Sequence, residues 1–154
     1  MLTDQERKDV LAELEASEEP TAACVEAMKI VQRSRGYVSD ETIADLAPLM
    51  GMTADELDSV ATFYSFIFRK PVGRHVILIC DSVTCWIMGY EPLLEHLRER
   101  LGIDFGETTG DGRFTLLPVS CVGACDHAPA MIVDGTMYTD LTVNKLDEIL
   151  AGFE

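Results

Sequence analysis

KPVGRHVILICDSVTC, from Lys70 to Cys85, contains the point at which the pattern of the chain changes. Pro71 and Gly73 punctuate it. The next six residues, HVILIC from His75 to Cys80, form a short apolar run that is partly β-branched, as a buried strand requires. Before this stretch, apolar residues recur at helical spacing. After it, strand-like runs alternate with helical ones. The division predicts an N-terminal helical domain over 1–70 and a second domain over 71–154.

Upstream, the capping signals are local. Thr3 with Glu6 forms a capping box. Val10, Leu11 and Leu14 then make an apolar stripe, which Pro20 stops. A second helix is predicted from about Ala22 to Arg35, with Cys24, Met28 and Val31 on one face and Gly36 as its stop. Ser39 caps a third, with Ile43, Leu46, Ala47 and Met50 facing inward. Pro48 kinks or shortens it, because proline has no N–H to bond back to Ala44. Thr53 with Glu56 opens a fourth, running through Leu57, Val60 and Tyr64.

Downstream, the order is β-α-β-β-β-α. Pro92 suits the first turn of a helix; Leu93, Leu94, Leu97 and Leu101 follow at helical spacing, and Gly102 ends it. Gly110-Asp111-Gly112 is a turn. RFTLLPVS, Arg113 to Ser120, is the second strand. AMIVDGTMYT is a hairpin on an Asp134-Gly135 turn, and Thr142 caps a last helix carrying Leu146, Ile149 and Leu150. A helix between the first two strands makes them a parallel pair joined by a right-handed crossover.

That topology gathers the cysteines. Cys80 ends the first strand and Cys85 follows it; Cys121 follows the second strand and Cys125 lies beyond it. Parallel strands place these loops at one edge of the sheet, where ligands usually bind. Neither pair has the C-x-x-C spacing of a redox dithiol. Structural zinc accepts four thiolates at such spacings, and a [2Fe–2S] cluster accepts two per iron. The wider C-x₄-C and C-x₃-C loops leave room for backbone N–H groups to turn toward sulfur. Gly123, without a Cβ, allows close approach of the chain, and Val83, Trp86 and Val122 are expected to shield the site from water. On spacing alone, zinc and iron–sulfur both remain open.

Composition narrows the partners. The chain has 154 residues, is 47% hydrophobic and carries a formal net charge of −15. Residues 1–70 hold 14 acidic and 7 basic residues, and 71–154 hold 13 and 5, so neither part offers a basic stripe for nucleic acid. The acidity serves solubility, or a face that meets a basic partner. No apolar run reaches the roughly 18 residues of a membrane span. The start, MLTDQERKDVLAELEASEEP, lacks an apolar signal core and is not an Arg-rich transit peptide. The expectation is a cytoplasmic chain, in which paired cysteines serve metal or redox chemistry rather than structural disulfides.

GRHVILICDSVTCWIMGYEPL and TTGDGRFTLLPVSCVGACDHAPAMIVDG together resemble the thioredoxin-like [2Fe–2S] subunit of the NADH-oxidising module of respiratory complex I. VATFYSFIF in the helical part resembles the same family, and the likeness runs from about Glu19 to the end. It implies a small helical bundle followed by a thioredoxin-like domain with a four-stranded mixed sheet. It implies a binuclear cluster ligated by Cys80, Cys85, Cys121 and Cys125. It also implies a flavoprotein partner that carries FMN and binds NADH, beside the other peripheral-arm subunits of a complex on the cytoplasmic face of the inner membrane. Related subunits occur in NAD-linked hydrogenases and formate dehydrogenases, and a zinc-stabilised interaction module is the alternative from another class.

Other residues have plainer readings. Cys24 sits on an apolar helix face as a small hydrophobe. His127, two residues after Cys125, is a neighbouring polar group rather than a replacement ligand; His75 and His96 have no ligand-like spacing. Asp81 and Asp126 flank the cysteine loops as turn residues. Pro129 precedes a strand and carries the general odds of a cis bond. There is no Gly-rich phosphate loop or dinucleotide fingerprint, so NADH binding by this chain alone is not expected. Nor is there a nucleophile–base arrangement of the hydrolytic kind.

Overall fold

The computed structural model describes residues Met1–Phe153 and divides into two compact units, Met1–Pro71 and Val72 onward. The first is helical: α1 (Asp4–Ala16), α2 (Cys24–Arg35), α3 (Asp40–Leu46) and α4 (Ala54–Phe63), with single 3₁₀ turns at Pro20–Ala23 and Ala47–Met50. Both predicted capping boxes close. The Thr3 and Thr53 hydroxyls each accept the N–H three residues on, and Glu6 and Glu56 each reach back to the N-cap amide. Pro48 shortens α3 as expected, and the chain leaves as a 3₁₀ turn. The core of this unit is built from Val10, Met28, Val31, Ile43, Leu46, Met50 and Leu57. Leu11, placed in the α1 stripe by its spacing, is exposed instead. Val10 and the half-buried Leu14 carry the inward face, because residues four apart share a face while i and i+1 diverge.

The second unit contains β1 (His75–Cys80), α5 (Val83–Ile87), α6 (Tyr90–Leu101), β2 (Phe114–Val119), β3 (Met131–Val133), β4 (Thr136–Tyr138) and α7 (Val143–Ala151). The strands form one mixed sheet in the order β2-β1-β3-β4. β1 and β2 are parallel, from His75 opposite Phe114 to Cys80 opposite Val119, and β3 runs antiparallel to β1. The hairpin turns on Asp134 and Gly135, both at positive φ, the combination a two-residue type I′ turn requires. Leu93, Leu94 and Leu97 of α6 and Leu146 and Leu150 of α7 pack with Ile77, Ile79, Leu116, Met131 and Val133 of the sheet.

Gly73 explains why the pattern changes where it does. A Cβ there would sit 3.0 Å from the backbone of Gly112 and Arg113. The Gly73 N–H donates to the Thr115 hydroxyl at 2.6 Å, and the Arg74 and His75 amides donate to the Gly112 and Arg113 carbonyls. The start of β1 is thereby pinned against β2, which fixes the parallel register carried to the far edge. The Ala128–Pro129 bond is cis.

Candidate metal centre

At that far edge, Cys80 ends β1 and the Asp81 amide donates to the Val119 carbonyl at the end of β2. Ser120 and Cys121 follow directly. The parallel register thus brings Cys80 and Cys121 to one rim. The four cysteines arrive as two pairs. Cys85 follows Cys80 by five residues, the Cys80 thiol donates to the Ser120 carbonyl at 3.9 Å, and the sulfurs of Cys121 and Cys125 are 3.9 Å apart.

Two expectations about Cys85 and the site's walls need correction. Cys85 is not in a loop but inside α5, a five-residue helix too short to declare a helical period. Its signals were only Ser82 at the N-cap and Gly89 a few residues on. Cys125 likewise opens a single 3₁₀ turn, Cys125–His127. The expected shield is not there: Val83 and Trp86 are exposed, and Val122 is only half-buried. One turn of helix cannot bury Cys85 and its flanking residues together, because they point to different sides of the axis. Trp86 instead donates its indole N–H to Glu91 at 3.2 Å.

The environment is asymmetric. Cys80 and Cys85 are each only 2% exposed, while Cys121 and Cys125 are open to solvent. Burial pushes the Cys85 thiol up to about 11, reinforced by its hydrogen bond to Cys80 and opposed by one from the Ala130 backbone. Cys125 is raised chiefly by Cys121, and the Thr84 hydroxyl acts the other way. The Gly123 N–H donates to the Cys121 sulfur at 3.4 Å, so one backbone amide does turn toward sulfur. Nothing lies within 4 Å of where a Cβ on Gly123 would be, but the φ of Gly123 is +81°. Glycine suits that left-handed turn.

The donor set can be tested against the candidate centres. Two sulfurs on one tetrahedral metal with bonds of about 2.3 Å lie about 3.8 Å apart, and the Cys121–Cys125 separation matches this. Among the described residues, no group of three or more His, Cys, Asp or Glu side chains is gathered so as to hold a single ion. The Cys121–Cys125 separation suits two thiolates on one tetrahedral metal, zinc or iron.

Residues 9–154 match the thioredoxin-like [2Fe-2S] ferredoxin family. The chain belongs to it. Among relatives of this thioredoxin-like [2Fe-2S] ferredoxin, a subunit of the NADH-quinone oxidoreductase of Pseudomonas aeruginosa is 44% identical over 99% of this chain and 92% of its own length. Its namesake in the NADH-quinone oxidoreductase of Escherichia coli K12 is 46% identical over the same shares. Among solved structures, the NAD⁺-reducing [NiFe]-hydrogenase in its H₂-reduced state superposes with a TM-score of 0.69 at 25% identity. That match covers 85% of this chain and spans about a fifth, 22%, of the hydrogenase chain.

The remaining candidates lie elsewhere or are otherwise engaged. Cys24 is buried among the α2 core residues. The His127 ring faces Asp140 at 3.0 Å and Asp126 at 3.6 Å. His75 pairs with Asp134 and His96 with Asp147. Among the described residues, no helix is long and apolar enough to cross a membrane.

Proposed function

We propose that this chain is the electron-transfer subunit of an NADH:quinone oxidoreductase, carrying one [2Fe–2S] cluster on Cys80, Cys85, Cys121 and Cys125. Cys80 with Cys85 holds one iron, and Cys121 with Cys125 holds the other. The observation that carries this is the parallel β1–β2 register, which brings Cys80 and Cys121 to one rim, with the Cys121 and Cys125 sulfurs 3.9 Å apart there. When bound, the cluster supplies one-electron redox chemistry. The chain's own groups do the rest. Four thiolates would hold the irons and leave the cluster net negative, and the Gly123 N–H, which donates to the Cys121 sulfur, would stabilise negative charge there. Each thiol must release its proton on ligation, so the raised Cys85 makes loading more favourable as pH increases.

The electron donor is a flavoprotein holding FMN and oxidising NADH. Hydride transfer delivers two electrons, and flavin divides them. This chain carries no dinucleotide fingerprint, so that division takes place on a partner. Trp86 and Ile87, 55% and 70% exposed on the helix that also carries Cys85, form an apolar face that such a partner would cover. The near full-length likeness to the two bacterial NADH-quinone oxidoreductase relatives favours the quinone oxidoreductase as parent complex. The likeness to the hydrogenase supports an NAD-linked hydrogenase as the second reading.

Iron and acid-labile sulfide contents test the ligand set. Cys121→Ala loses the cluster and Cys24→Ala keeps it. Dithionite bleaches the isolated chain, and NADH does so only after the flavoprotein is added. A full cluster in Cys121→Ala removes that residue from the set, and reduction of the isolated chain by NADH ends the partner-dependent reading.

A further inference from the structure

The two cysteine pairs differ in access, and that difference has a consequence for the newly made chain. Cys80 is held by the sheet, its amide bonded to the Ala130 carbonyl, and Cys85 lies within α5; both are 2% exposed. Cys121 and Cys125 are exposed, and the three residues between them belong to no strand or helix. Gly123, at φ +81°, turns the chain back so that the two sulfurs come to 3.9 Å. A disulfide needs a separation of about 2.05 Å. Side-chain rotation and small movements of an exposed loop can supply the difference without breaking a sheet bond. An accessible thiol beside a second thiol is also the arrangement that resolves oxidation into a disulfide.

We propose that Cys121–Cys125 is an oxidation site that gates cluster loading: a small-molecule disulfide such as oxidised glutathione closes this pair in the cluster-free chain, leaving Cys80 and Cys85 reduced. The thiolate of one cysteine attacks a glutathione sulfur, the glutathione S–S bond breaks, and one glutathione thiolate leaves. The second cysteine then attacks the protein-bound sulfur and displaces the other glutathione. The chain gives up two electrons, glutathione disulfide accepts them, and the two thiol protons end on the two released glutathiones. Sulfurs bonded to each other cannot ligate iron, so loading stops until a dithiol reductant reopens the pair. This last consequence rests on the ligand set proposed above, whereas the disulfide does not.

The sequence makes the test direct. Trypsin leaves Cys121 and Cys125 together on the peptide 114–145, Cys80 and Cys85 on 75–98, and Cys24 on 9–29. The full chain, freed of cluster and fully reduced without air, is exposed to oxidised glutathione, alkylated and mapped by mass spectrometry. Iron and sulfide uptake are then measured with and without dithiothreitol. The expected result is an internal disulfide on 114–145, alkylated cysteines on 75–98, and uptake that is lost and then restored by dithiothreitol. In Cys125→Ser, glutathione stays attached to Cys121. A disulfide on 75–98, one joining the two peptides, or no disulfide on 114–145 overturns the proposal. Undiminished uptake by a chain whose 114–145 disulfide is complete leaves the disulfide standing and refutes Cys121 and Cys125 as ligands.

Discussion

Replacing Glu6 by Gln isolates a staple between the first two helices. The Glu6 carboxylate, 6% exposed, accepts four hydrogen bonds. The donors are the Thr3 amide at 2.8 Å, the Ser34 hydroxyl at 2.6 Å, Arg35 Nε at 2.8 Å and Arg35 Nη2 at 2.6 Å. Gln keeps the shape but supplies only one oxygen. Whichever way its amide turns, an NH₂ group faces one arm of the Arg35 fork. Charge-assisted bonds contribute about 1.5–3 kcal/mol each, and removing one partner of a buried pair costs about 3–5 kcal/mol. Arg35 is 29% exposed, so water recovers part of the loss and the expected cost falls at the low end, about 3 kcal/mol.

The pH dependence supplies a second signature. Arg35 holds the Glu6 carboxyl far below its usual value of 4.5; burial opposes this, and Ser34 and Thr3 add to the lowering. A depressed carboxyl contributes fully above its unfolded value and loses that contribution as pH falls below it, at about 1.4 kcal/mol per pH unit. The Gln variant has no such group. The gap between wild type and Glu6→Gln is therefore widest near neutrality and about 1.4 kcal/mol smaller at about pH 3.5. Urea unfolding of the full chain, followed by far-UV circular dichroism at both pH values, measures it. A gap under about 1 kcal/mol, the range of exposed pairs, or one that does not narrow in acid, refutes the reasoning.

Two further outcomes concern the cluster unit. Gly123→Val forces a β-branched residue into a left-handed turn at a cost of about 1–2 kcal/mol and lowers iron content, while Gly123→Asn, which tolerates that conformation, keeps it. Equal iron and sulfide in both variants dismisses backbone conformation as the reason for glycine. We further propose that residues 71–154 form an independent domain, since that segment contains a core of its own and all four proposed ligands. Produced alone, it should unfold cooperatively and take up as much iron and sulfide as the full chain; failure under anaerobic reconstitution places the first unit within its core.

What the sequence determined by itself was local. The capping boxes at Thr3 and Thr53, the stop at Pro48 and the Asp134-Gly135 hairpin each depend on residues within three or four positions, so the physics that forms them is written in adjacent letters. The β1 and β2 runs and the two cysteine spacings were legible for the same reason. Other features were decided only by contacts across long separations. Glu6 meets Arg35 29 residues away, and Gly73 meets the Thr115 hydroxyl 42 residues away. No pattern in a linear string reports such distances. Cys85 in a one-turn helix lay below the length at which periodicity speaks, and Gly123 showed itself only as small until its φ was known. The asymmetry of the cysteines has the same origin. All four are the same letter, but Cys80 and Cys85 are covered by sheet and helix while Cys121 lies in the loop beyond the end of β2 and Cys125 opens an exposed 3₁₀ turn, and burial is a property of the packed chain rather than of the residue.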